Sequence, residues 1–241
     1  MLLRVPDEID PLWEGVLEAD PDAAGTRGDP QVATAIRELP VVSIGRPESW
    51  PILDLYENDT VPAAMRALMT ETAFYVVRLS CSFRPVHDRT RIDWARFAVR
   101  LEPDAEGRTA TAFDLHPLLV TQEVKRNVKV SLAPTIKFQE IEAGLGGVDV
   151  GFEYPQLEPV ISASGAGETE PAWDFSSAKG AYIQGSKWMH LVVALGRGMT
   201  SCDAHLHLTA DVVSAGLRIP VFSRPKQAHA DPLTVRLCGL T

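Results

Sequence analysis

From Thr72 onward, apolar and polar residues alternate along short runs that are separated by residues typical of turns. A period of two places successive side chains on opposite faces, which is the pattern of a strand with one buried face. The runs predicted as strands span 74–83, 92–101, 109–115, 118–132, 135–143, 147–154, 160–163, 187–195, 202–213, 217–222 and 234–238. Because no helical periodicity separates these runs, we predict an all-β fold, an antiparallel β-sandwich of about 8–11 strands, over residues 72–241.

Residues 1–71 have a different character and are predicted to form an acidic N-terminal arm followed by a small α/β segment that packs on the β domain. The first 30 residues hold eight acidic and only two basic side chains. A short helix is predicted at 12–19, where Trp13 favours docking on the chain or on a neighbouring subunit over a mobile arm. A clearer helix is predicted over 63–70. Its expected apolar face consists of Ala64, Met65, Leu68 and Met69.

The composition limits the partners of the chain. A net charge of −9 opposes non-specific binding to nucleic acid or to anionic membranes. Cys81, Cys202 and Cys238 are widely spaced in or beside apolar runs, where a free thiol packs as a small core residue, so a disulfide framework is not expected. The sequence has no apolar stretch of the length that a secretory signal or a membrane-spanning helix needs, and we expect a cytoplasmic protein.

One histidine pattern on two late strands is a candidate metal site. Alternation places Asp203, His205 and His207 on the outer face of one strand. His190 lies on the outer face of the strand before it. If the two strands pair as a hairpin in their natural register, His190 falls opposite His205. Three imidazoles, with Asp203 as a fourth ligand or as the partner of a ligand, suit zinc. Zinc binding or metal-dependent hydrolysis is therefore one alternative function.

The same outer faces carry large apolar residues where a solvated strand would be polar. Trp188 and Val192 share a face with His190, and Trp94 lies on an arginine-rich strand. Exposed aromatic groups of this kind indicate a surface that another segment or a partner covers. These three residues and Trp13 are the ones we expect to make interactions. We favour burial of the histidine face under the N-terminal region or under a partner over a metal site.

A second amphipathic pattern spans residues 135–154 around a glycine-rich turn. Its apolar members are Ile136, Phe138, Ile141, Ala143, Leu145, Val148, Val150, Phe152 and Tyr154, which interleave with Lys137, Gln139, Glu142, Asp149 and Glu153. Proteins that form β-pores insert hairpins of this kind, and each spanning strand needs about 9–11 residues. Ordinary soluble hairpins share the pattern. Pore formation by the hairpin around 135–154 is therefore a second alternative function.

No group of residues in the sequence specifies a reaction. There is no G-x-S-x-G motif, and the glycine-rich turn at 143–147 lacks the lysine of a phosphate-binding loop. We therefore predict a non-enzymatic interaction, adaptor or structural module that self-associates or binds a protein partner. No cofactor is expected unless the histidines bind zinc, and neither nucleic acid nor a stable membrane span is expected.

Overall fold

The computed structural model confirms the predicted all-β fold, with two antiparallel sheets and two short helices in the described residues. Those residues are 9–16, 18–19, 39–56, 60–85, 90–122, 128–131, 160–177, 182–214, 217–222 and 233–239. The strands are β1 (Pro11–Val16), β2 (Glu18–Ala19), β3 (Val41–Gly45), β4 (Glu48–Pro51), β5 (Ala73–Arg84), β6 (Thr90–Leu101), β7 (Thr111–His116), β8 (Leu119–Gln122), β9 (Val128–Ser131), β10 (Val160–Ser164), β11 (Ala172–Ser176), β12 (Gly185–Leu195), β13 (Ser201–Ser214), β14 (Leu217–Phe222) and β15 (Leu233–Gly239). The helices are α1 (Ile52–Leu55) and α2 (Ala63–Leu68).

The two sheets are built from strands that lie far apart in the sequence. The first sheet has the order β1-β3-β5-β12-β7, and β4 also pairs with β5. The second sheet has the order β2-β14-β13-β6-β11-β10-β8-β9, and β15 also pairs with β13. The consecutive strands β12 and β13 therefore lie in different sheets. No helix of the described residues has the length and apolar character to cross a membrane.

The main hydrophobic core lies between the inner faces of the two sheets. Phe83 on β5 and Phe175 on β11 make an edge-to-face ring contact across this core, with centroids 6.1 Å apart. Trp173 and Phe97 of the second sheet are completely buried beside them. Burial of each such side chain stabilises the fold by about 1.5–3 kcal/mol. Packing of two antiparallel sheets face to face is the arrangement of a β-sandwich.

A smaller hydrophobic cluster covers one end of the outer face of the first sheet. Met65 of α2 and Ile52 of α1 pack with Val76 of β5 and Val192 of β12. Val192 is fully buried by this contact. Residues 52–56 and 60–69 therefore cover this part of the first sheet.

The orientation of α2 differs from the predicted one. Met65 is completely buried and Met69 packs partly against the same cluster, but Ala64 is exposed and Leu68 is 47% exposed. The predicted apolar face is therefore wrong for Ala64 and Leu68. The helix is only six residues long, so a single docked side chain determines which face is buried, whatever the average periodicity.

The predicted helix at 12–19 is wrong, because this segment is extended. β1 pairs with β3 in the first sheet, and β2 pairs with β14 in the second. Trp13 is partly buried against the main core. Its ring passes so close to Gly15 that a Cβ atom on that residue would lie only 2.9 Å from the ring. Trp13 therefore docks on its own chain. The domain boundary at residue 71 stays a prediction.

Replacement of Met65 by alanine is expected to lower the free energy of unfolding by about 2–4 kcal/mol, because it leaves a cavity in the smaller cluster. Leu68→Ala on the same helix is the matched control, and its effect should stay within about 0.5 kcal/mol because the side chain is half exposed. Urea denaturation of the two variants measures the difference. Equal losses of stability would contradict the observed docking of α2.

Candidate functional site

The predicted zinc site requires β12 to pair with β13, and this predicted pairing is wrong. β12 pairs with β5 and β7, whereas β13 pairs with β6, β14 and β15. The apolar faces of both strands point into the core, as alternation predicts, but from opposite sheets. Their outer faces therefore point away from each other, which separates His190 from His205. Among the described residues, no group of three or more His, Cys, Asp and Glu side chains could hold a metal ion.

Two of the predicted ligands have protein partners on the outer face of the second sheet. The ring of His205 lies between the Oε1 atom of Glu102, 2.8 Å from Nε2, and the hydroxyl of Thr234, 2.8 Å from Nδ1. Asp203 forms an ion pair with Arg236 on the neighbouring strand β15. The third, His207, is exposed. This surface is a network of cross-strand polar pairs rather than a set of converging ligands.

His190 instead belongs to a row of ionisable residues that crosses four strands of the first sheet. Glu48 on β4 is paired with Arg78 on β5, Arg78 with His190 on β12, and His190 with His116 on β7. We call these four residues the histidine row. His116 and His190 are 1% exposed, and their ring centroids are 6.2 Å apart. The row lies on the outer face of the sheet but is largely shielded from solvent.

Arg78 is held in the histidine row by one ion pair and two aromatic rings. Its Nη2 atom lies 2.5 Å from Oε2 of Glu48. Its guanidinium also lies 5.2 Å from the ring centroid of Trp50 and 5.5 Å from that of Trp188. Such cation–π contacts stabilise a cation that is removed from water. Trp188 is therefore partly buried against its own chain, in contact with Arg78.

Burial keeps both histidines of the row neutral at pH 7. It lowers the pKa of His116 to about 4. It also lowers the pKa of His190 to about 3, and the positive charges of His116, when protonated, and of Arg78 add to this effect. A base with so low a pKa accepts a proton poorly at neutral pH. The near absence of solvent exposure also leaves little access for a substrate. The row is therefore suited to a structural role.

Trp94, another residue expected to make interactions, lies apart from the histidine row. Trp94 is partly buried on β6, where it is paired with Asp211 on β13 and Ser176 on β11. It lies on the outer face of the second sheet, on the opposite side of the sandwich from Trp188. The two aromatic surfaces predicted from the sequence are thus separate, and Val192 is covered by the chain itself.

Sequence reasoning identified His190 but missed its actual neighbours. Arg78 was hidden in the long apolar run of β5, and Glu48 lies in a short segment with little alternation. Asp114 and His116 share one face of a predicted strand directly before Pro117. This spacing is the sequence pattern from which His116 could have been identified as a member of the row. Only the pairing of β5, β12 and β7 brings these residues together, and alternation carries no information on pairing.

The second candidate site is the point at which residues 132–159 join the second sheet. Leu119 on β8 is paired with Ser131 at the end of β9 and also with Ser162 on β10. Ser131 and Val160, which flank the segment, therefore lie on strands on opposite sides of β8, and these two strands run parallel to each other. We call this arrangement of β8, β9 and β10 the hairpin root. The hairpin predicted at 135–154 lies outside the described residues.

The histidine row predicts that stability falls with acidification. Each buried histidine has a pKa below the unfolded value of 6.5, so the unfolded state binds more protons as the pH drops below about 6.5. The contribution of each neutral histidine to the stability of the folded state is fully present above pH 6.5 and is lost progressively toward pH 4. Between pH 7 and pH 5, the loss is expected to be about 2 kcal/mol per histidine.

Chemical denaturation of wild type and His190→Gln between pH 7 and pH 5 checks this expectation. The variant should lose less stability than wild type over this range, by about 2 kcal/mol, because one titrating group has been removed. His207→Gln, at an exposed position of the second sheet, is the control and should retain most of the wild-type decline. An identical decline in wild type and His190→Gln would contradict the assigned effect of burial.

Comparisons with known proteins give weak likenesses only. No family model and no curated protein matches the chain. A solved structure described as a pore forming protein is similar over 77% of this chain and 88% of its own, with 7% identity and a TM-score of 0.35. The structure of Clostridium perfringens delta-toxin is similar over 77% of this chain and 86% of its own, with 6% identity and a TM-score of 0.31. The structure of the Clostridium perfringens NetB toxin in its membrane-inserted form is similar over 77% of this chain and 86% of its own, with 8% identity and a TM-score of 0.32.

Proposed function

We propose that this protein is a self-associating, pore-forming protein that inserts a hairpin around residues 135–154 into a bilayer. The observation that carries the proposal is the hairpin root.

The hairpin root holds both ends of the segment in the second sheet. The last residue before the segment, Ser131, is paired with Leu119, and the first residue after it, Val160, directly precedes the pair of Ile161 with Val120. These two ends lie on strands on opposite sides of β8, which are two strand spacings, or about 9.6 Å, apart across the sheet. Both ends are held in hydrogen-bonded strands of one sheet. A hairpin can therefore change its position relative to the sandwich while β8, β9 and β10 keep their pairing.

The length of the hairpin is close to the minimum that a bilayer requires. Around the glycine-rich turn at 144–147, the predicted hairpin has arms 135–143 and 148–154, of nine and seven residues, which are bounded by Pro134 and Pro155. A membrane-spanning strand needs about 9–11 residues. The first arm reaches this length, and the second falls short of it by about two residues.

The residue pattern provides one face for lipid and one for water. In the second arm, Val148, Val150 and Phe152 alternate with Asp149 and Glu153. In a membrane-spanning sheet that surrounds a pore, apolar residues face the lipid and polar residues face the aqueous lumen. The charged residues of the second arm, Asp149 and Glu153, would thus line the lumen, which accounts for their presence among apolar residues.

Self-association follows from the cost of unpaired backbone groups in lipid. One hairpin has two free edges, and each unsatisfied N–H or C=O group in the hydrocarbon region costs several kcal/mol. Hairpins from several copies remove these edges when they pair into a closed ring. Insertion of the hairpin into lipid therefore requires the predicted self-association, because only pairing between copies removes the free edges.

A non-enzymatic interaction or adaptor module is the second candidate function, favoured by Trp94. This side chain is only partly buried on the otherwise polar outer face of the second sheet. A protein partner bound there would bury it further. This candidate needs no lipid, so its complex forms in solution.

The proposal predicts that the full-length protein releases a trapped dye from lipid vesicles. Phe138→Glu should abolish most of this release, because it places a charge on the lipid face of the hairpin at a cost of up to about 2 kcal/mol in each of several copies. Gln139→Glu introduces the same residue at the neighbouring position of the other face and should retain release. Fluorescence dequenching measures the leakage, and circular dichroism verifies that both variants keep the sandwich.

Intact vesicles across neutral and anionic lipid compositions would contradict the proposal, as would equal activity of the two variants. A discrete oligomer formed without lipid, combined with the absence of leakage, would favour the interaction module. Trp94→Ala distinguishes the two candidates further, because it should dissociate that oligomer but leave dye release by a pore-forming hairpin unchanged.

A further inference from the structure

Two of the three cysteines are placed directly opposite each other. Cys202 on β13 is paired with Cys238 on β15, and each is only 2% exposed within the main core. Directly opposed residues of antiparallel strands point to the same face, with Cα atoms about 4.5 or 5.5 Å apart. Both distances lie within the range of about 4.4–6.8 Å that a disulfide bridges. Cys81, by contrast, lies on β5, opposite Ile44 and Lys187.

The surroundings of the two thiols also show that they are neighbours. The Cys202 thiol donates a hydrogen bond to the carbonyl oxygen of Asp203, at 3.4 Å. The Cys238 thiol accepts a hydrogen bond from the backbone of Cys202, and a charge on Cys202 would raise the pKa of Cys238. The pairing of β13 and β15 shifts between Cys202 and Asp203. The two cysteines thus meet beside a local irregularity of the ladder.

We propose that Cys202 and Cys238 are a disulfide-forming pair that, in the presence of a small-molecule disulfide such as oxidised glutathione, covalently links β15 to β13. All three cysteines are free thiols in the structure. This inference does not depend on the proposed pore function, because neither cysteine lies in the hairpin or at the hairpin root.

The reaction is thiol–disulfide exchange in two steps. One cysteine thiolate attacks glutathione disulfide, which forms a mixed disulfide and releases the first glutathione thiolate. The second cysteine thiolate attacks the protein sulfur of that mixed disulfide and releases the second glutathione thiolate. Two protein thiols are oxidised, one glutathione disulfide is reduced, and the two cysteine protons end on the two glutathione molecules.

Burial makes this reaction depend on opening of the C-terminal strand. It raises the pKa of Cys202 to about 12 and raises that of Cys238 as well, so both thiols are protonated at neutral pH and react slowly. Among the described strands, β15 pairs only with β13. Separation of these two strands exposes both thiols together, while the rest of the second sheet keeps its pairing.

The test is incubation of the full-length protein with oxidised glutathione, alone and in sub-denaturing urea, followed by alkylation and intact-mass analysis. The wild type should lose two hydrogens and yield one peptide cross-link between Cys202 and Cys238. Urea should accelerate the reaction. In the cross-linked protein, the amides of β15 should exchange hydrogen up to about tenfold more slowly than in the reduced protein. A reducing agent should reverse this protection.

Cys81→Ser is the matched control and should form the same cross-link, whereas Cys202→Ser and Cys238→Ser should not. If a serine variant does not fold, the peptide map of the wild type and of Cys81→Ser decides the question. Stable glutathione adducts on both cysteines without a cross-link would overturn the proposal. So would a cross-link that includes Cys81, one that forms only between chains, or no oxidation in urea that opens β15.

Discussion

The placement of almost every outer-face residue depends on the burial of β12 and β13 in one core from opposite sheets. The apolar inner faces of both strands are buried in the same cluster although the strands belong to different sheets. The short connection 196–200 therefore carries the chain from one sheet to the other. With sheets stacked about 10 Å apart, the outer face of β12 and the outer face of β13 lie on opposite sides of the sandwich. This separates His190 from His205 more effectively than any shift of register could.

Alternation in the sequence determines which face of a strand is buried but not which strand is its neighbour. On β12, the apolar residues that alternate with Trp188, His190 and Val192 face the core, namely Met189, Leu191, Val193 and Leu195. Its partner β5, however, lies about a hundred residues earlier, and nothing in the local pattern indicates so distant a pairing. The predicted helix at 12–19 failed for a related reason. Pairing with β3 stabilises an extended chain there, and tertiary contacts of this kind override weak helix propensity.

The histidine row changes the interpretation of the aromatic residues on the first sheet. Arg78 is the buried cation of the row, and its charge is compensated by Glu48, whose side chain is 45% exposed. The rings of Trp50 and Trp188 flank the same guanidinium. Burial lowers the pKa of both histidines, and the positive charge of Arg78 lowers that of His190 further, so both imidazoles are neutral at pH 7. Trp188 is thus explained by a contact within the chain, and Trp94 on the other sheet becomes the stronger candidate for a contact with another protein.

The hairpin root joins the two halves of the proposed function. In the proposed function, the pairs of Leu119 with Ser131 and Ser162 persist while the segment between β9 and β10 enters lipid, and the sandwich stays folded in water. A net charge of −9 provides no attraction to anionic lipid. The proposed insertion would therefore draw its free energy from burial of the apolar face and from pairing between copies. Because pairing satisfies the backbone groups that lipid would leave unsatisfied, the proposal couples assembly to insertion, and each of these two steps would make the other more favourable.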